Sequence, residues 1–293
     1  MKFPIRINRN LLPVFLHKII PSAYDTRGIL GDEPNLLRFE QCVTAIKIDS
    51  VWRSTYKQRH PISNRLIKEL LKDLDNPLIH EPAISAGSTS MDLIDTLEDR
   101  FGHYYATDLF TKLPYRQAGK VVFFYHPAEK RAIFRVSDIA VMYEDVVNAI
   151  FPLGYLATKY LAEAPAFDMA DPHYVSMVNP RLLKLTKVNS KVSLSEYSLL
   201  NPWAGEPLHL VKIANVLNGT YFSDDKILMI LENAADSLVN NGVIVLIDNR
   251  KIERVSILSK EKSGKLVIQK EVNGGAYAAQ IAHRVRPNLN NAT

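Results

Sequence analysis

The feature that most constrains the fold is a run of alternating elements between residues 78 and 108. We predict in order a strand, a turn of mostly small residues, an amphipathic helix, a second strand and an acid: Leu78–Glu81, Pro82–Ser88, Thr89 to about Arg100, Tyr104–Thr107 and Asp108. Asp108 lies 21 residues beyond Gly87. An acid about 20 residues past the turn is typical of nucleotide-binding βαβ units, where it binds ribose hydroxyls. The pattern therefore predicts a parallel sheet with a ligand site at the carboxyl ends of its strands.

The alternation continues on both sides of this unit but is interrupted in the middle of the chain. A helix over residues 61–75 precedes this βαβ pattern. The elements predicted after residue 190 are strands Lys191–Tyr197, Leu208–Ala214 and Val243–Ile247, helix Ser223–Asn240, and a hairpin of Val255–Leu258 with Lys265–Lys270. The elements predicted in the interruption are a hairpin of Val121–Tyr125 with Ala132–Val136, a helix over 142–162, a loop over 168–180 and a helix over 181–187.

Composition excludes several classes of protein. The chain has 293 residues, of which 47% are hydrophobic and 23% charged, as in ordinary globular proteins. No stretch approaches the ~18 uncharged apolar residues of a membrane-spanning helix. Cys42 is the one cysteine, which excludes an internal disulfide and a zinc site built on several thiolates. The eight histidines show no paired ligand spacing, so we predict no catalytic metal.

Five motifs, in order along residues 60–272, resemble those of class I S-adenosylmethionine (SAM) methyltransferases. They are Glu81–Gly87, Tyr105–Asp108, Glu196–Trp203, His209–Leu217 and Ser237–Val243. The first is similar to the family's acid-x-Gly-x-Gly-x-Gly loop, with Ala83 and Ser85 in place of two glycines. The stretch from Asn215 to Val243, together with the long insertion after the second motif, is most similar to chemotaxis-receptor-type (CheR-like) methyltransferases.

The resemblance implies SAM as the cofactor and a set of residues that contact it. They are Glu81, Ala83, Ser85, Ala86, Gly87, Asp108, Leu109, Ser198, Leu199, Asn215 and Val216. Small residues in the loop let main-chain N–H groups approach a ligand, and the Asp108 carboxylate can accept both ribose hydroxyls. Tyr221 and Tyr56 are substrate candidates. We assign no catalytic base, because alignment alone can carry much of a methyl transfer to a nucleophilic atom.

A purely structural interpretation stays open for several of these residues. Asp108 could cap a helix or a turn, Asn215 could stabilise a turn, and Tyr221 could seat a helix with its neighbour Phe222. Ser198 stands where the resemblance leads us to expect an acid near the adenine. His209 stands where an acid is common on the fourth strand. With the two missing glycines, these departures motivate a second hypothesis, a methyltransferase-like binding or scaffold protein without turnover.

The first 24 residues are basic, with Lys2, Arg6, Arg9 and Lys18 and no acid before Asp25. We interpret them as a basic surface segment, and a mitochondrial-type presequence is the alternative. The aromatic and basic stretch 52–60 indicates either a partly buried helix with snorkelling basic stems or a lid over the site. A third hypothesis is that residues 1–60 bind RNA or a membrane through charge.

We therefore predict an α/β fold with a doubly wound, mostly parallel, Rossmann-like methyltransferase sheet over residues 61–272. Residues 1–60 are predicted to form an N-terminal helical cap, residues 110–188 an insertion after the second strand, and residues 273–293 a C-terminal tail that is frayed over 287–293. The predicted function is methyl transfer from SAM to a small-molecule or protein acceptor, carboxylate O-methylation being one candidate reaction. A single thiol fits a reducing compartment, so we expect a cytoplasmic protein. Nucleic acid is not expected as the main partner, because the net charge of +5 is mild.

Overall fold

The computed structural model describes residues 3–31, 36–49, 51–53, 56–144, 149, 151–249 and 251–285. The strands, numbered in chain order, are β1 Ile5–Asn8, β2 Ser22–Ala23, β3 Lys47–Ile48, β4 Val51–Trp52, β5 Leu78–Pro82, β6 His103–Asp108, β7 Lys112–Ala118, β8 Val121–Tyr125, β9 Ala132–Val136, β10 Ala140–Tyr143, β11 His173–Ser176, β12 Val192–Glu196, β13 Leu208–Ala214, β14 Leu238–Asn249, β15 Glu253–Lys260 and β16 Leu266–Val272. The α-helices are α1 Leu36–Val43, α2 Pro61–Leu70, α3 Ser88–Leu97, α4 Leu153–Ala162, α5 Pro180–Val188 and α6 Asp224–Ser237. Short 3-10 helices cover Arg9–Leu11, Val14–Lys18, Thr26–Ile29, Tyr277–Gln280 and Ala282–Arg284.

The chain divides into two compact units. The first comprises residues 1–55 and 110–180, and the second comprises residues 56–109 and 181–293. Of the predicted insertion, residues 110–180 therefore belong to the same unit as the N-terminal segment, whereas residues 181–188 belong to the second unit. Stretch 52–60 is divided between the units, so that residues 56–60 belong with the βαβ pattern.

The first unit is built on a seven-stranded sheet in the order β11-β7-β8-β9-β10-β1-β2. All neighbouring strands are antiparallel except β1 and β2. Its core is aromatic. The rings of Phe124 and Phe134 stack with centroids 4.6 Å apart, and Trp52 meets Tyr143 edge to face at 5.2 Å. The predicted hairpin of residues 121–136 is present as β8 and β9.

The second unit is an α/β domain with a mostly parallel central sheet. Its order is β12-β6-β5-β13-β14-β15-β16. The first five strands are parallel to one another, and β15 and β16 continue the sheet as an antiparallel meander from β14. The predicted terminal hairpin is present as β15 and β16. The run Val243–Ile247 lies in β14, where apolar residues are expected because both faces of a parallel strand are covered.

Helices lie on both faces of this sheet. On one face, Val211 and Ile213 of β13 pack in an apolar cluster with α6 and with residues 276–285. Because side chains alternate along a strand, Lys212 lies on the opposite face. There it lies close enough to His60, the residue before α2, to affect the pKa of that histidine. The second unit is therefore doubly wound around its parallel strands.

Residues 1–60 differ from the helical cap that we expected. The described part contains strands β1 to β4 as well as α1 and three 3-10 helices. Strand β1 pairs with β10, which occupies the start of the segment predicted as a helix over 142–162. Only Leu153–Ala162 of that segment is an α-helix, and residues 145–148 and 150 lie outside the described residues. Here the pairing of distant strands outweighs the local preference for a helix, and a single sequence does not reveal such pairing.

Two further segments are more ordered than we predicted. Residues 173–176, expected in a loop, form β11 and pair with β7. The predicted tail begins with residues that pack in the main core, including Ala278, Ala279 and Ile281. Its final stretch, 287–293, lies outside the described residues. Four alanines with Ile281 and Val285 carry little periodic signal, so the packing of this segment could not be inferred.

Candidate functional site

The site lies at the carboxyl ends of the parallel strands, where the strand order reverses. Strand β5 lies between β6 and β13. The chain runs from β5 through α3 to β6 on one side, whereas β13 and β14 lie on the other side. In open α/β sheets, ligands bind in the crevice at such a switch point. The predicted cofactor residues in loop 82–88 and at Asp108 are at this edge.

Loop 82–88 keeps the backbone of a glycine-rich turn although two of its residues are not glycine. Ala83, Ser85 and Gly87 have φ angles of 57°, 58° and 75°. The left-handed region suits glycine, whereas a residue with a Cβ is strained there. Ala83 and Ser85 occupy the two positions at which the sequence resemblance places glycines. The fold therefore imposes the turn against the preference of these residues.

Helix α3 begins directly after this turn, at Ser88. Gly87 is its N-cap, in the left-handed conformation and without a capping side chain. Thr89, where the sequence predicts the helix to begin, lies inside the helix and is buried. The left-handed turn at Gly87 starts the helix one residue earlier.

We predict that restoring glycine to the strained positions stabilises the second unit. Relief of the left-handed strain exceeds the entropy cost of glycine, so Ala83→Gly and Ser85→Gly should each raise the free energy of unfolding by about 0.5–1 kcal/mol. Urea unfolding measures this change. Ala86→Gly is the matched control, since Ala86 has an ordinary negative φ and is fully buried. It should destabilise by about 1 kcal/mol, and stabilisation by all three variants would contradict the account.

The carboxylate of Asp108 closes the loop against the end of β6. Its Oδ2 atom accepts a hydrogen bond from the Ser85 N–H at 2.7 Å, and the side chain is buried. The Asp108 carbonyl accepts from the Tyr197 N–H at 2.9 Å, which ties β6 to the residue after β12. Leu109, the next residue, is 52% exposed. The structure thus brings Asp108 together with the predicted loop and with the predicted segment 196–203.

Glu81 takes part in a buried charge cluster. Its Oε1 lies 2.8 Å from Lys212 Nζ, and both side chains are almost wholly buried. The Tyr104 hydroxyl donates to its Oε2. Burial, followed by the Glu81 charge, raises the pKa of Tyr104. The carboxylate of this predicted cofactor residue is therefore engaged by the protein itself, through a lysine that we did not anticipate.

Asn215 joins the ends of β13 and β14 to the start of α2. It has a φ of 62°, a conformation that asparagine tolerates. Its Oδ1 accepts from the Asn249 N–H at 2.6 Å, and its Nδ2 lies 3.1 Å from His60 Nε2. Because the amide nitrogen can only donate, His60 Nε2 accepts and the ring proton is on Nδ1. Burial, followed by the charges of Lys212 and Arg59, lowers the pKa of His60 to about 2.

Three other predicted residues have mainly structural partners. Ser198 Oγ accepts from the Leu200 N–H at 3.3 Å in the turn after β12. Leu199 and Val216 pack against the apolar cluster of α6, β13 and β14. His209, the other position that departs from the family pattern, accepts from the Leu78 N–H through Nδ1 at 3.0 Å. It therefore links the starts of β13 and β5, far from the carboxyl edge.

The two substrate candidates lie beside one arginine. Tyr56 and Tyr221 are 55% and 39% exposed. Both act on the pKa of Arg59, which burial lowers and the two phenols raise, so the three side chains are near one another. The Arg59 guanidinium donates to the Asn249 carbonyl at 3.1 Å. Sequence reasoning grouped Arg59 only with a lid segment, although a basic residue between Tyr56 and His60 was a usable signal.

A cluster of aromatic rings joins segment 197–203, which follows β12, to strands β5 and β6. The Trp203 ring lies 4.3 Å from His80, 5.1 Å from Tyr105 and 5.8 Å from Tyr197, between ring centroids. His80 is buried and its Nε2 lies 2.8 Å from Thr107 Oγ1. Burial lowers the pKa of His80 to about 3. These rings fix the segment 197–203 on β5 and β6, next to Asp108.

Metal-binding and membrane-spanning features are absent from the residues that the structure describes. Among them, no group of three or more histidine, cysteine, aspartate or glutamate side chains is arranged to hold a metal ion. Within the same ranges, no helix is both long and apolar enough to cross a membrane. Cys42 is buried, and burial raises the pKa of its thiol to about 11.

The chain was compared with known proteins by sequence and by structure. No protein-family model matches it, and no curated protein matches it. A solved structure of the N-methyltransferase NodS from Bradyrhizobium japonicum with S-adenosylhomocysteine is similar, with 12% identity over 75% of this chain and 69% of NodS and a TM-score of 0.35.

Two further similar structures are longer proteins. The trans-methyltransferase CalH with S-adenosylhomocysteine has 11% identity over 63% of this chain and a TM-score of 0.32. Human N-acetylserotonin methyltransferase with SAM has 14% identity over 72% of this chain and a TM-score of 0.31. The match to this chain spans only 35% and 37% of their lengths.

Proposed function

We propose that the second unit binds SAM at the switch point and transfers its methyl group to an acceptor. The observation that carries the proposal is the left-handed turn at Ala83, Ser85 and Gly87 set against the buried Asp108 carboxylate. Strained backbone persists where surrounding structure holds it, and it concentrates at ligand sites. The strain is retained here in a loop at the edge where open sheets bind ligands.

The side chains at this edge fit some parts of SAM and not others. Asp108 supplies carboxylate oxygens for ribose hydroxyls, the turn supplies backbone at close approach, and Leu109 and Leu199 offer apolar surface to an adenine ring. A bound SAM supplies a methyl group on a positively charged sulfur. Glu81 fits less well, since Lys212 and Tyr104 occupy its oxygens. We propose contacts from Ala83, Ser85, Ala86, Gly87, Asp108, Leu109, Ser198, Leu199 and Val216, with Glu81 and Asn215 shaping the site from behind.

The acceptor would lie on the side of Tyr56, Arg59 and Tyr221. Two exposed phenols beside a guanidinium suit a planar or acidic small molecule. Carboxylate O-methylation, and with it the resemblance to chemotaxis-receptor-type enzymes, is the finer part of the proposal and rests on residues 215–243 and on the long insertion after the second motif. We propose a protein as the alternative acceptor, and we propose that the methyl transfer takes place in the cytoplasm.

A second function is favoured by the hydrogen bonds at the site. Asp108, Glu81 and Asn215 are each satisfied by other parts of the protein. Such internal hydrogen bonds are expected in a domain that no longer catalyses methyl transfer and serves as a binding or scaffold module. The two functions differ in one measurable property, which is formation of S-adenosylhomocysteine from SAM.

Calorimetric titration with SAM and with S-adenosylhomocysteine tests the cofactor site. We expect the wild-type protein to bind both ligands. Asp108→Ala should weaken this binding about 10- to 100-fold, because charge-assisted hydrogen bonds are lost. Asp108→Asn is the matched variant, since its amide oxygen can still accept from the Ser85 N–H and so keeps the loop. It should fold like the wild type and bind SAM about tenfold less tightly. Equal affinity in all three proteins would contradict the site.

An acceptor screen separates the enzyme from the scaffold. Small acids, amines and phenols are incubated with the protein and SAM, and S-adenosylhomocysteine is quantified by mass spectrometry. Turnover that Asp108→Asn reduces supports the enzyme. Tight cofactor binding without turnover on any acceptor class supports the scaffold function.

A further inference from the structure

Four large apolar side chains within nine consecutive positions are exposed near the start of the first unit. Leu11, Val14, Phe15 and Ile19 are 57%, 81%, 71% and 74% exposed. Isolated exposed apolar residues are common in folded proteins, whereas a contiguous group indicates an interaction site. These four residues, which fall within nine positions of sequence, form what we term the apolar patch.

The backbone that carries the apolar patch has a defined shape. Two 3-10 helices, Arg9–Leu11 and Val14–Lys18, are joined at Pro13. Nε2 of His17 lies within hydrogen-bond distance of the Arg9 and Leu12 carbonyls, at 3.2 and 3.0 Å. These contacts satisfy main-chain polar groups inside the segment, so it can meet an apolar phase at low cost.

The sequence that carries the apolar patch is basic. Residues 1–24 contain four lysines and arginines and no acid. Lys18 is exposed within the patch, whereas Arg6 and Arg9 stack on Trp52 and Tyr24 at 4.5 and 4.6 Å from the ring centroids. Lys18 therefore supplies the patch with a positive charge that complements an anionic surface. Three of its four members are aliphatic, which favours lipid over single-stranded RNA, whose bases need aromatic stacking platforms.

We propose that the apolar patch docks the protein on an anionic lipid surface. Leu11, Val14, Phe15 and Ile19 enter the boundary between headgroups and acyl chains, and Lys18 lies among the phosphates. This inference is independent of the proposed methyl transfer.

Vesicle sedimentation of the full chain tests the proposal. The wild type should bind phosphatidylcholine vesicles that contain phosphatidylserine and bind pure phosphatidylcholine weakly. The double variant Val14→Ser/Phe15→Ser should lose binding about tenfold or more, because two buried apolar side chains are removed. Val188→Ser/Phe151→Ser is the matched control, with the same residue types at 74% and 86% exposure elsewhere, and it should bind like the wild type.

The charge requirement is tested separately with Lys18→Glu. This variant should bind anionic vesicles about fivefold or more weakly at low salt, and the difference should shrink as salt rises. Absence of wild-type binding to anionic vesicles, or equal losses in the patch and control variants, would overturn the proposal. The proposal would also be overturned if light scattering showed a wild-type dimer and a monomeric patch variant, since the patch would then contact a second copy of the chain.

Discussion

Replacement of Lys212 by alanine should destabilise the second unit by about 3–5 kcal/mol, because it leaves the Glu81 carboxylate buried without its countercharge. Lys212 Nζ lies 2.8 Å from Glu81 Oε1, and the two side chains are 0% and 2% exposed. The measurement is urea unfolding of the full chain, monitored by tryptophan fluorescence. Of the two tryptophans, Trp203 lies in this unit and Trp52 in the first unit.

The matched control is an exposed pair of nearly the same length. Lys68 Nζ lies 2.7 Å from Glu98 Oε1, with the side chains 35% and 65% exposed. Lys68→Ala should cost no more than about 1 kcal/mol, since water screens the charges. The double replacement Lys212→Met/Glu81→Leu should recover most of the loss, because an apolar pair leaves no buried charge. Similar effects of Lys212→Ala and Lys68→Ala would contradict this account.

Acid should destabilise the protein well above the pH at which carboxylates titrate. The pKa values of His60 and His80 are lowered to about 2 and about 3 by burial, against about 6.5 in an unfolded chain. Below pH ~6.5 the unfolded state therefore binds more protons than the folded state, and stability falls as the pH falls. Between pH 7 and pH 5, each histidine should remove on the order of 2 kcal/mol from the free energy of unfolding.

Unfolding of His60→Gln at the two pH values checks this prediction. The variant keeps an acceptor for the Asn215 amide and should lose about half of the pH dependence attributed to the two histidines. His173→Gln serves as the control, because the His173 side chain is 57% exposed, and it should leave the pH dependence unchanged. A wild-type stability that is flat from pH 7 to pH 5 would refute the neutral, buried state of both rings.

The second unit could be predicted from the sequence because its elements are local. Strands Leu208–Ala214 and Val243–Ile247 are apolar runs, and α2 and α6 show helical spacing, although both helices end earlier than predicted, at Leu70 and Ser237. The sheet of the first unit could not be predicted in the same way. Strand β1 pairs with β10 more than a hundred residues away, and no local pattern specifies such a partner.

The sequence placed loop 82–88 close to Asp108 but did not reveal the buried charges beside them. The spacing of loop 82–88 and Asp108 was sufficient to place them together, as the bond from Ser85 shows. The role of Lys212 was not foreseen, although a lysine within the apolar run 208–214 and an acid at the end of a neighbouring strand were visible. Which strands are neighbours depends on topology, so this pair could be recognised only once β5 and β13 were known to be adjacent.

Hydrogen–deuterium exchange of the full chain with and without S-adenosylhomocysteine tests the central claim most directly. Bound ligand should slow exchange of backbone amides in residues 83–90 and 106–110 and in the segment 197–200, and Asp108→Asn should reduce that protection at the same ligand concentration. Residues 121–136 of the first unit serve as an internal reference and should not change. Protection confined to other residues, or no protection at a saturating concentration, would contradict a cofactor site at the switch point.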